Sequence, residues 1–299
     1  LMMLEVAAAA LRDARLTDKD LLFAGVYIGS GLDLNATNFS FRWGLQKYAR
    51  KWADQLGLQL DEKQFSAWLA ELRETAGPPL TANRTMGALG SVVASRIAKE
   101  FRIGGPSFTL SSEENSGLRA LEVGIHSLQE GSINRAIVGA VDLAGDLRSV
   151  LSRHSDNPFS ASGAGCPFDR DSDGSLIGEG AAAVVLKRLD DARQDGDRIY
   201  AVINGIGTAI GGQIDTSVPE TKTYAKAVKS ACQNSNISAE TISYLEADGS
   251  GVPSLDQLEA QTLGQVVGRK GGKRSCKIGS VKADIGHAGA AAGLASLVK

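Results

Sequence analysis

Residues 104–121 read GGPSFTLSSEENSGLRAL, and this stretch decides the fold of the chain. Phe108 and Thr109 lie in an alternating apolar and polar run after a Gly-Gly-Pro turn, which predicts a short β-strand. Apolar residues then recur at helical spacing over residues 118–128, which predicts a helix with one buried face. The turn between them, residues 111–116, offers hydroxyls and carboxylates but no thiol. Because such a turn lies at the positive end of the helix dipole, it can stabilise an anion or a nucleophile.

Composition and charge restrict the class of protein. The 299 residues are 43% hydrophobic and 22% charged, which is enough for one large domain, or two fused halves, with a sizeable core. A net charge of −2 argues against nucleic acid or an anionic membrane as the main partner. The cysteines Cys166, Cys232 and Cys276 are odd in number and far apart, which predicts neither a disulfide framework nor a metal site and favours a reducing cytoplasm.

The rest of the chain alternates strand and helix patterns. Continuous apolar strands separated by helices are typical of parallel sheets that are covered on both faces. The opening run, residues 1–11, has the pattern of an amphipathic helix and is too short to cross a bilayer. Since this pattern begins in the middle of a helix, we expect the chain to be a piece of a longer protein. The sequence predicts strands at residues 21–30, 107–111, 135–143, 181–188, 200–206, 242–247 and 277–282, and helices at residues 39–76, 85–101, 221–233 and 255–267.

Four motifs occur in a fixed order: GPSFT at residues 105–109, CPFD with DG and GEG within residues 166–180, EADGSGVP at residues 246–253, and GSVKADIGH at residues 279–287. Together they resemble the signature of the β-ketoacyl synthases, the condensing enzymes of fatty acid and polyketide synthesis. The resemblance covers nearly the whole chain. It implies one ketosynthase-like domain over residues 1–299, with an α/β, thiolase-like fold layered α/β/α/β/α. The two related halves would be approximately residues 1–188 and 189–299, and the fold would be incomplete at both ends.

The resemblance fails at the residues that carry the family's chemistry. In that family, the residue seven positions after the serine of the first motif is the cysteine that takes the acyl chain, and two histidines assist the condensation. Counting from Ser107 places Glu114 at the cysteine position, and Asp248 stands at the position of the first histidine. His287 and Lys282 match the family. No catalytic set is therefore intact, because a carboxylate cannot form the thioester and an anion at Asp248 repels a developing enolate.

Glu114 has two interpretations. A glutamate in the first turn of a helix is commonly a simple complement to the helix dipole, worth about 0.3–1 kcal/mol. At the nucleophile position of a ketosynthase-like chain, it would instead replace the thiolate. In that case we expect its carboxylate to pair with His287 or Lys282 and to hold the emptied pocket closed.

A condensing-enzyme fold without its nucleophile resembles the chain-length factors, which are inactive copies that pair with an active ketosynthase and shape its acyl tunnel. The turn SSEENSGLRALE resembles that of the chain-length-factor domains in bacterial polyunsaturated fatty acid synthases. This resemblance implies an active ketosynthase domain and an acyl carrier protein as partners. It also implies that this chain binds no cofactor and no metal, with phosphopantetheine carried by the carrier protein.

By the same resemblance, the tunnel gate and dimer contact lie at Arg84, Met86, Phe108 and Thr109. The strand at residues 107–111 would pair with its counterpart in the partner across a pseudo-two-fold axis. For Met86, a core methionine on a helix is an equally good interpretation.

An enzymatic function is the alternative. The chain could decarboxylate malonyl groups on a carrier protein, or act as an unconventional acyltransferase, with Glu114 and His287 as its reactive groups. The basic turn at residues 269–274 is interpreted as a solvated loop or as a contact for an acidic carrier protein. The two functions differ in a measurable way, because a non-catalytic partner carries no acyl group and an enzyme turns over alone.

Overall fold

The computed structural model describes residues 1–31, 35–145, 147–212, 220–268 and 276–299. The basic turn at residues 269–274 lies outside the described residues. The chain forms two compact units, Leu1–Gly31 with Val93–Lys299 and Leu32–Val92, and each is described by itself. The α-helices are α1 (Met2–Asp13), α2 (Asp18–Leu21), α3 (Asn35–Gln55), α4 (Glu62–Ala76), α5 (Ala82–Ala88), α6 (Ser91–Glu100), α7 (Ser116–Gln129), α8 (Leu147–Asp156), α9 (Leu189–Asp195), α10 (Thr221–Asn234), α11 (Pro253–Val267), α12 (Lys282–Ile285) and α13 (Ala292–Val298).

A four-stranded sheet forms the centre of the first unit. Its strands are β1 (Ala24–Ser30), β2 (Ser107–Leu110), β3 (Arg135–Asp142) and β4 (Gly180–Leu186), in the spatial order β2-β1-β3-β4. β1 runs parallel to both β2 and β3, as the sequence predicts. β4 runs antiparallel to β3, so the prediction of a wholly parallel sheet is wrong there. Apolar runs report burial on both faces of a sheet and not the direction of a strand.

Both faces of this sheet are covered. One buried cluster joins α7 to β3 and includes Tyr27, Leu121 and Val138, and a second cluster joins α1 and α6 to the opposite face. At Gly29, α7 comes so close that a Cβ atom would lie 2.4 Å from the carbonyl carbon of Ser116. The absence of a side chain at Gly29 therefore sets the position of the first turn of α7 over the sheet.

A second sheet contains β5 (Tyr244–Glu246) and β6 (Lys277–Gly279), which pair in parallel as predicted. The strand expected at residues 200–206 is not formed in the described part of the chain. This segment packs against α10 instead, where a Cβ atom at Gly207 would lie 2.0 Å from the carbonyl oxygen of Ala227. The side chain of Asn234 also donates a hydrogen bond to the Ile206 carbonyl, at 2.7 Å. Helix contacts thus hold a segment whose sequence is typical of a strand.

The second unit is helical. α3 and α4 pack around a core of Leu45, Ala49, Phe65 and Leu69, so the helical region predicted at residues 39–76 is two helices. The helix predicted at residues 85–101 is also two helices, separated at residues 89–90: α5 belongs to this unit, and α6 belongs to the first unit from Val93 onward.

Across the residues that the structure describes, none of the helices combines the length and the apolar character needed to cross a membrane.

Candidate functional site

The turn between β2 and α7 presents Glu114. It is a short 3₁₀ turn, Glu113–Asn115, held by the fully buried Ser116, whose hydroxyl accepts a hydrogen bond from the Ser112 amide at 2.9 Å and donates one to the Glu113 carbonyl at 2.5 Å. Glu113 has φ +50°, in the left-handed region that a non-glycine residue rarely adopts and that is frequent at functional sites. The strand, the strained turn and the helix therefore give Glu114 a defined place at the beginning of α7.

Glu114 and His287 are in contact. His287 Nε2 lies 3.2 Å from Glu114 Oε1, and His287 Nδ1 accepts a hydrogen bond from the Gly289 amide at 3.0 Å. Because Nδ1 is an acceptor, the network assigns the ring hydrogen to Nε2, which donates to the carboxylate. The hydrogen bond from His287 lowers the pKa of Glu114, and the charges of Lys282 and Arg153 act in the same direction, against desolvation. Glu114 is therefore an anion at neutral pH.

Backbone hydrogen bonds fix the position of His287. Its amide donates to the Leu176 carbonyl at 2.7 Å, and its carbonyl accepts from the Gly178 amide at 3.1 Å. The ring is 90% buried, whereas the Glu114 side chain remains 55% exposed. Two motifs that are far apart in the sequence, GEG at residues 178–180 and the GSVKADIGH segment, thus meet at one site.

Lys282 pairs with Asp248 and not with Glu114. Its Nζ lies 2.5 Å from Asp248 Oδ1, and its side chain is only 6% exposed. The Asp248 backbone is held in place, since its carbonyl accepts a hydrogen bond from the Ser280 hydroxyl at 2.8 Å. A buried cation requires a nearby counter-charge, and Asp248 provides it. The position of the family's first histidine is therefore occupied by half of an ion pair.

A buried carboxylate that the sequence analysis did not identify shapes the backbone at Asp248. Glu259 in α11 accepts hydrogen bonds from the amides of Asp248 and Gly249, both at 2.9 Å, and from the Tyr224 hydroxyl at 2.6 Å. Burial and this hydrogen bond to Glu259 raise the pKa of Tyr224, so its hydroxyl stays a donor. The sequence does carry a signal for Glu259. It lies four positions before Leu263, on the face of the helix that the apolar spacing predicts to be buried, where an acidic residue needs hydrogen-bond partners.

Asp256 supports the same loop one turn earlier in α11. Its carboxylate accepts hydrogen bonds from the Ser250 hydroxyl at 2.9 Å, from the Gly251 amide at 3.2 Å and from the Phe168 amide at 2.8 Å. Asp256 thereby ties the PFD motif to the loop that carries Asp248. No motif in the sequence marks Asp256.

A further charged pair lies on the other side of Glu114. Asp142, near the end of β3, accepts a hydrogen bond from Arg153 in α8 and another from the Ala290 amide at 2.8 Å. Arg153 and Glu114 line the same small pocket. The centre of a water molecule can move within ≈ 10 Å³ of it, so the pocket has room for about one water molecule. The complete lining is Glu114, Arg153, Asn157, Phe159, Ser175, Ile177 and His287.

The four residues expected at a tunnel gate and dimer contact lie in different units. Arg84 and Met86 are on α5, where Met86 is 54% exposed, so the structure does not place it in the core of its unit. Phe108 and Thr109 are on β2, which is an edge strand of the sheet. Phe108 is exposed on one side and contacts the Tyr27 ring edge-on at 5.1 Å. Their roles stay predictions.

The chemistry available at this site is limited. Its reactive groups are a carboxylate, an imidazole that already donates to that carboxylate, and an ion pair. All three cysteines are free, and Cys166 is exposed in the loop before Pro167. In the described ranges there is no group of three or more histidine, cysteine, aspartate or glutamate side chains that could hold a metal ion. The site can hold charges in place, and it contains no thiol nucleophile at the beginning of α7.

We expect the stability contributed by the Glu114 carboxylate to depend on pH. Because folding lowers its pKa below the ordinary value of 4.5, the contribution is complete above pH 4.5 and is lost as the pH falls through the folded-state pKa. Since the side chain is half-exposed, the contribution is below about 1 kcal/mol. Urea unfolding of the wild type and Glu114→Gln between pH 3 and 7 should show a stability difference that shrinks on acidification. Glu113→Gln is the matched control, and a difference that grows on acidification would contradict the assignment.

Two protein-family domains match almost the whole chain. Residues 1–192 match the β-ketoacyl synthase N-terminal domain, and residues 200–299 match the β-ketoacyl synthase C-terminal domain. The matches meet between the first, four-stranded part of the chain and the segment that packs against α10.

Similar proteins are large synthases. The hybrid PKS-NRPS synthetase TAS1 of Gloeophyllum trabeum is 36% identical over 211 residues, which are 69% of this chain and 14% of that protein. The polyketide synthase PksM of Bacillus subtilis is 36% identical over 240 residues, which are 79% of this chain and 6% of that protein. The chain thus spans a small part of the curated relatives that it matches.

Solved structures with a similar fold are ketosynthases. The ketosynthase from module 6 of the bacillaene synthase of Bacillus subtilis superposes with a TM-score of 0.75 at 27% identity, over 99% of this chain and 46% of that one. The ketosynthase from module 1 of the bacillaene synthase of Bacillus amyloliquefaciens gives a TM-score of 0.76 at 29% identity, over 100% of this chain and 50% of that one. The predicted α/β fold of the thiolase-like kind is confirmed.

Proposed function

The chain belongs to the β-ketoacyl synthase family, and we propose that within this family it is a non-catalytic chain-length factor. In this role it pairs with an active β-ketoacyl-carrier-protein synthase and shapes the acyl tunnel of that partner during fatty acid or polyketide synthesis. The observation that carries the proposal is the hydrogen bond between Glu114 and His287 at 3.2 Å. Glu114 is an anion at the position where a condensing enzyme needs a thiolate. Its carboxylate also accepts the Nε2 hydrogen of His287, which would otherwise be available to assist the reaction.

The ion pair between Lys282 and Asp248 supports the same proposal. Condensation develops negative charge on the extender group, and donors or cations must stabilise it. Lys282 is buried and already neutralised by Asp248. Each of the two residues that match the family, His287 and Lys282, therefore has a carboxylate of this chain as its partner.

The proposed partners follow from the same role. β2 is one of the two edge strands in the described sheet, and Phe108 on it is exposed. Pairing there with a strand of the active ketosynthase would continue the sheet. An acyl carrier protein would deliver the substrates on phosphopantetheine to the partner's cysteine. The product class we favour is a polyunsaturated fatty acid, the proposed location is the cytoplasm, and the domain would be a pseudoenzyme.

The enzymatic alternative has one observation in its favour. Glu114 is half-exposed and accepts a hydrogen bond from a fixed imidazole, an arrangement that a malonyl decarboxylase or an unconventional acyltransferase could also use. Such an enzyme would release carbon dioxide, or carry an acyl group, without a partner.

Glu114→Cys alone is expected to give no condensing activity, because Asp248 still places an anion at the first histidine position. The comparison is the double variant Glu114→Cys with Asp248→His, which has both family residues. General acid–base groups contribute about 10²–10⁴-fold, so the single variant should be at least about 100-fold slower than the double variant. Product formation from acyl- and malonyl-loaded carrier protein measures both rates. Equal rates would show that Asp248 does not block the reaction.

The chain-length role is tested by reconstitution with a ketosynthase that carries the cysteine. We expect a stable complex in which Met86→Ala shifts the length of the product and leaves acylation of the partner's cysteine unchanged. Leu58→Ala, another exposed apolar residue of the same unit, is the matched control and should leave the product length unchanged. Products of identical length with wild type and Met86→Ala would remove Met86 from the proposed gate.

A further inference from the structure

The pocket beside Glu114 has the composition of an anion-binding site. His287 Nε2 donates to the Glu114 carboxylate, and Arg153 lines the same pocket. Lys282 adds a second positive charge, beside that of Arg153, that attracts Glu114. Two of these groups have acidic partners of their own, Asp142 for Arg153 and Asp248 for Lys282. The carboxylate of Glu114 therefore accepts a hydrogen bond from His287 and lies in the electrostatic field of two cations.

Arg153 has hydrogen-bonding capacity that its known partner does not use. One guanidinium nitrogen, Nη2, donates to Asp142. The other, Nη1, is buried and has no hydrogen-bond partner among the residues that the structure describes. A buried charged donor without an acceptor is costly, and guanidinium groups bind carboxylates particularly well. Arg153 therefore brings to the wall of this pocket a guanidinium group whose second nitrogen has no carboxylate partner among the described residues.

The size of the Glu114 side chain identifies the class of ligand. Beyond its Cβ atom, the side chain consists of one methylene carbon and a carboxylate, which are the heavy atoms of acetate. With that side chain in place, the space left in the pocket is ≈ 10 Å³. Glu114→Ala removes those atoms. His287 and Arg153 lie on other segments of the chain, so the substitution does not displace their side chains.

We propose that this pocket is a binding site for a small carboxylate and that Glu114 occupies it from within the chain. The occupied site excludes a free carboxylate, including the carboxylate of an extender group. The inference rests on the proposed function in one respect, since it treats Glu114 as a permanent occupant and not as a catalytic base. Removal of the Glu114 side chain opens the site to acetate.

The test is a titration of Glu114→Ala with sodium acetate at constant ionic strength, balanced with sodium chloride. We expect a saturable shift of the His287 imidazole nitrogen resonances and a rise in Tm of roughly 2 °C for each tenfold increase of acetate above its Kd. Wild type and Glu114→Gln keep the pocket filled, so neither should show a saturable response. Adding Arg153→Gln to Glu114→Ala should weaken acetate binding at least tenfold.

Two results would overturn the inference. One is the absence of a saturable response in Glu114→Ala and also in Glu114→Ser, which serves as the second variant if alanine prevents folding. The other is an equal response in Glu114→Gln, which would place the acetate elsewhere. The titration uses the chain without any partner or carrier protein, so a failure here leaves the chain-length role to be decided by reconstitution.

Discussion

Replacing Glu259 by alanine is expected to lower the free energy of unfolding by about 3 kcal/mol or more. Glu259 is 5% exposed, and its carboxylate accepts hydrogen bonds from the amides of Asp248 and Gly249 and from the Tyr224 hydroxyl. Alanine leaves these donors without an acceptor in a buried place, and each unsatisfied amide costs about 1–3 kcal/mol. Urea or guanidinium unfolding, followed by circular dichroism, measures the loss.

Two further variants make the Glu259 experiment specific. Glu259→Gln keeps one acceptor oxygen and should lose an intermediate amount, about 1–2 kcal/mol. Gln257→Ala changes an exposed residue of the same helix and should stay within about 0.5 kcal/mol of the wild type. A loss in Glu259→Ala no larger than that of Gln257→Ala would show that the carboxylate does not hold the Asp248 loop.

Gly29→Ala is expected to destabilise the chain by about 3 kcal/mol and to displace Glu114 from His287. The added Cβ would lie 2.4–2.5 Å from backbone atoms of Ser116 and Gly117, and backbone cannot move aside as a flexible side chain can. α7 must therefore shift on the sheet, and the turn that carries Glu114 shifts with it. Thermal unfolding measures the first effect, and the His287 nitrogen resonances report the second.

The matched control for Gly29→Ala is Gly180→Ala in β4. A Cβ atom there would have no neighbour within 4 Å, so the variant should equal the wild type or be up to about 1 kcal/mol more stable. Equal stabilities of the two variants would mean that α7 does not depend on the close approach at Gly29.

Most of the fold could be predicted because its signals are local. The alternation of Phe108 and Thr109 and the helical spacing over residues 118–128 are properties of neighbouring residues, and β2 and α7 form there. The strand pattern at residues 200–206 is also local, yet a strand needs a partner strand, and this segment packs against α10. The direction of β4 was mispredicted for a related reason, since burial and strand direction are independent.

Residues of the candidate site could be predicted from the sequence only where they lie at a position of a recognised motif. Glu114, Asp248, Lys282 and His287 were found by their motif positions, and the pairing of Glu114 was narrowed to two partners, of which the structure has His287. The other acidic residues, Asp142, Asp256 and Glu259, could not be found in this way. Their roles depend on backbone amides brought close by folding, and the sequence does not mark those amides.

Intact-mass spectrometry tests the central claim most directly. The chain is incubated alone with malonyl- and acyl-loaded carrier protein, and carbon dioxide release is measured in parallel. A non-catalytic chain-length factor predicts no increase in the mass of this chain at any residue and no carbon dioxide above the carrier-only background. An acyl adduct on the chain, or decarboxylation by the chain alone, would contradict the claim and establish the enzymatic alternative.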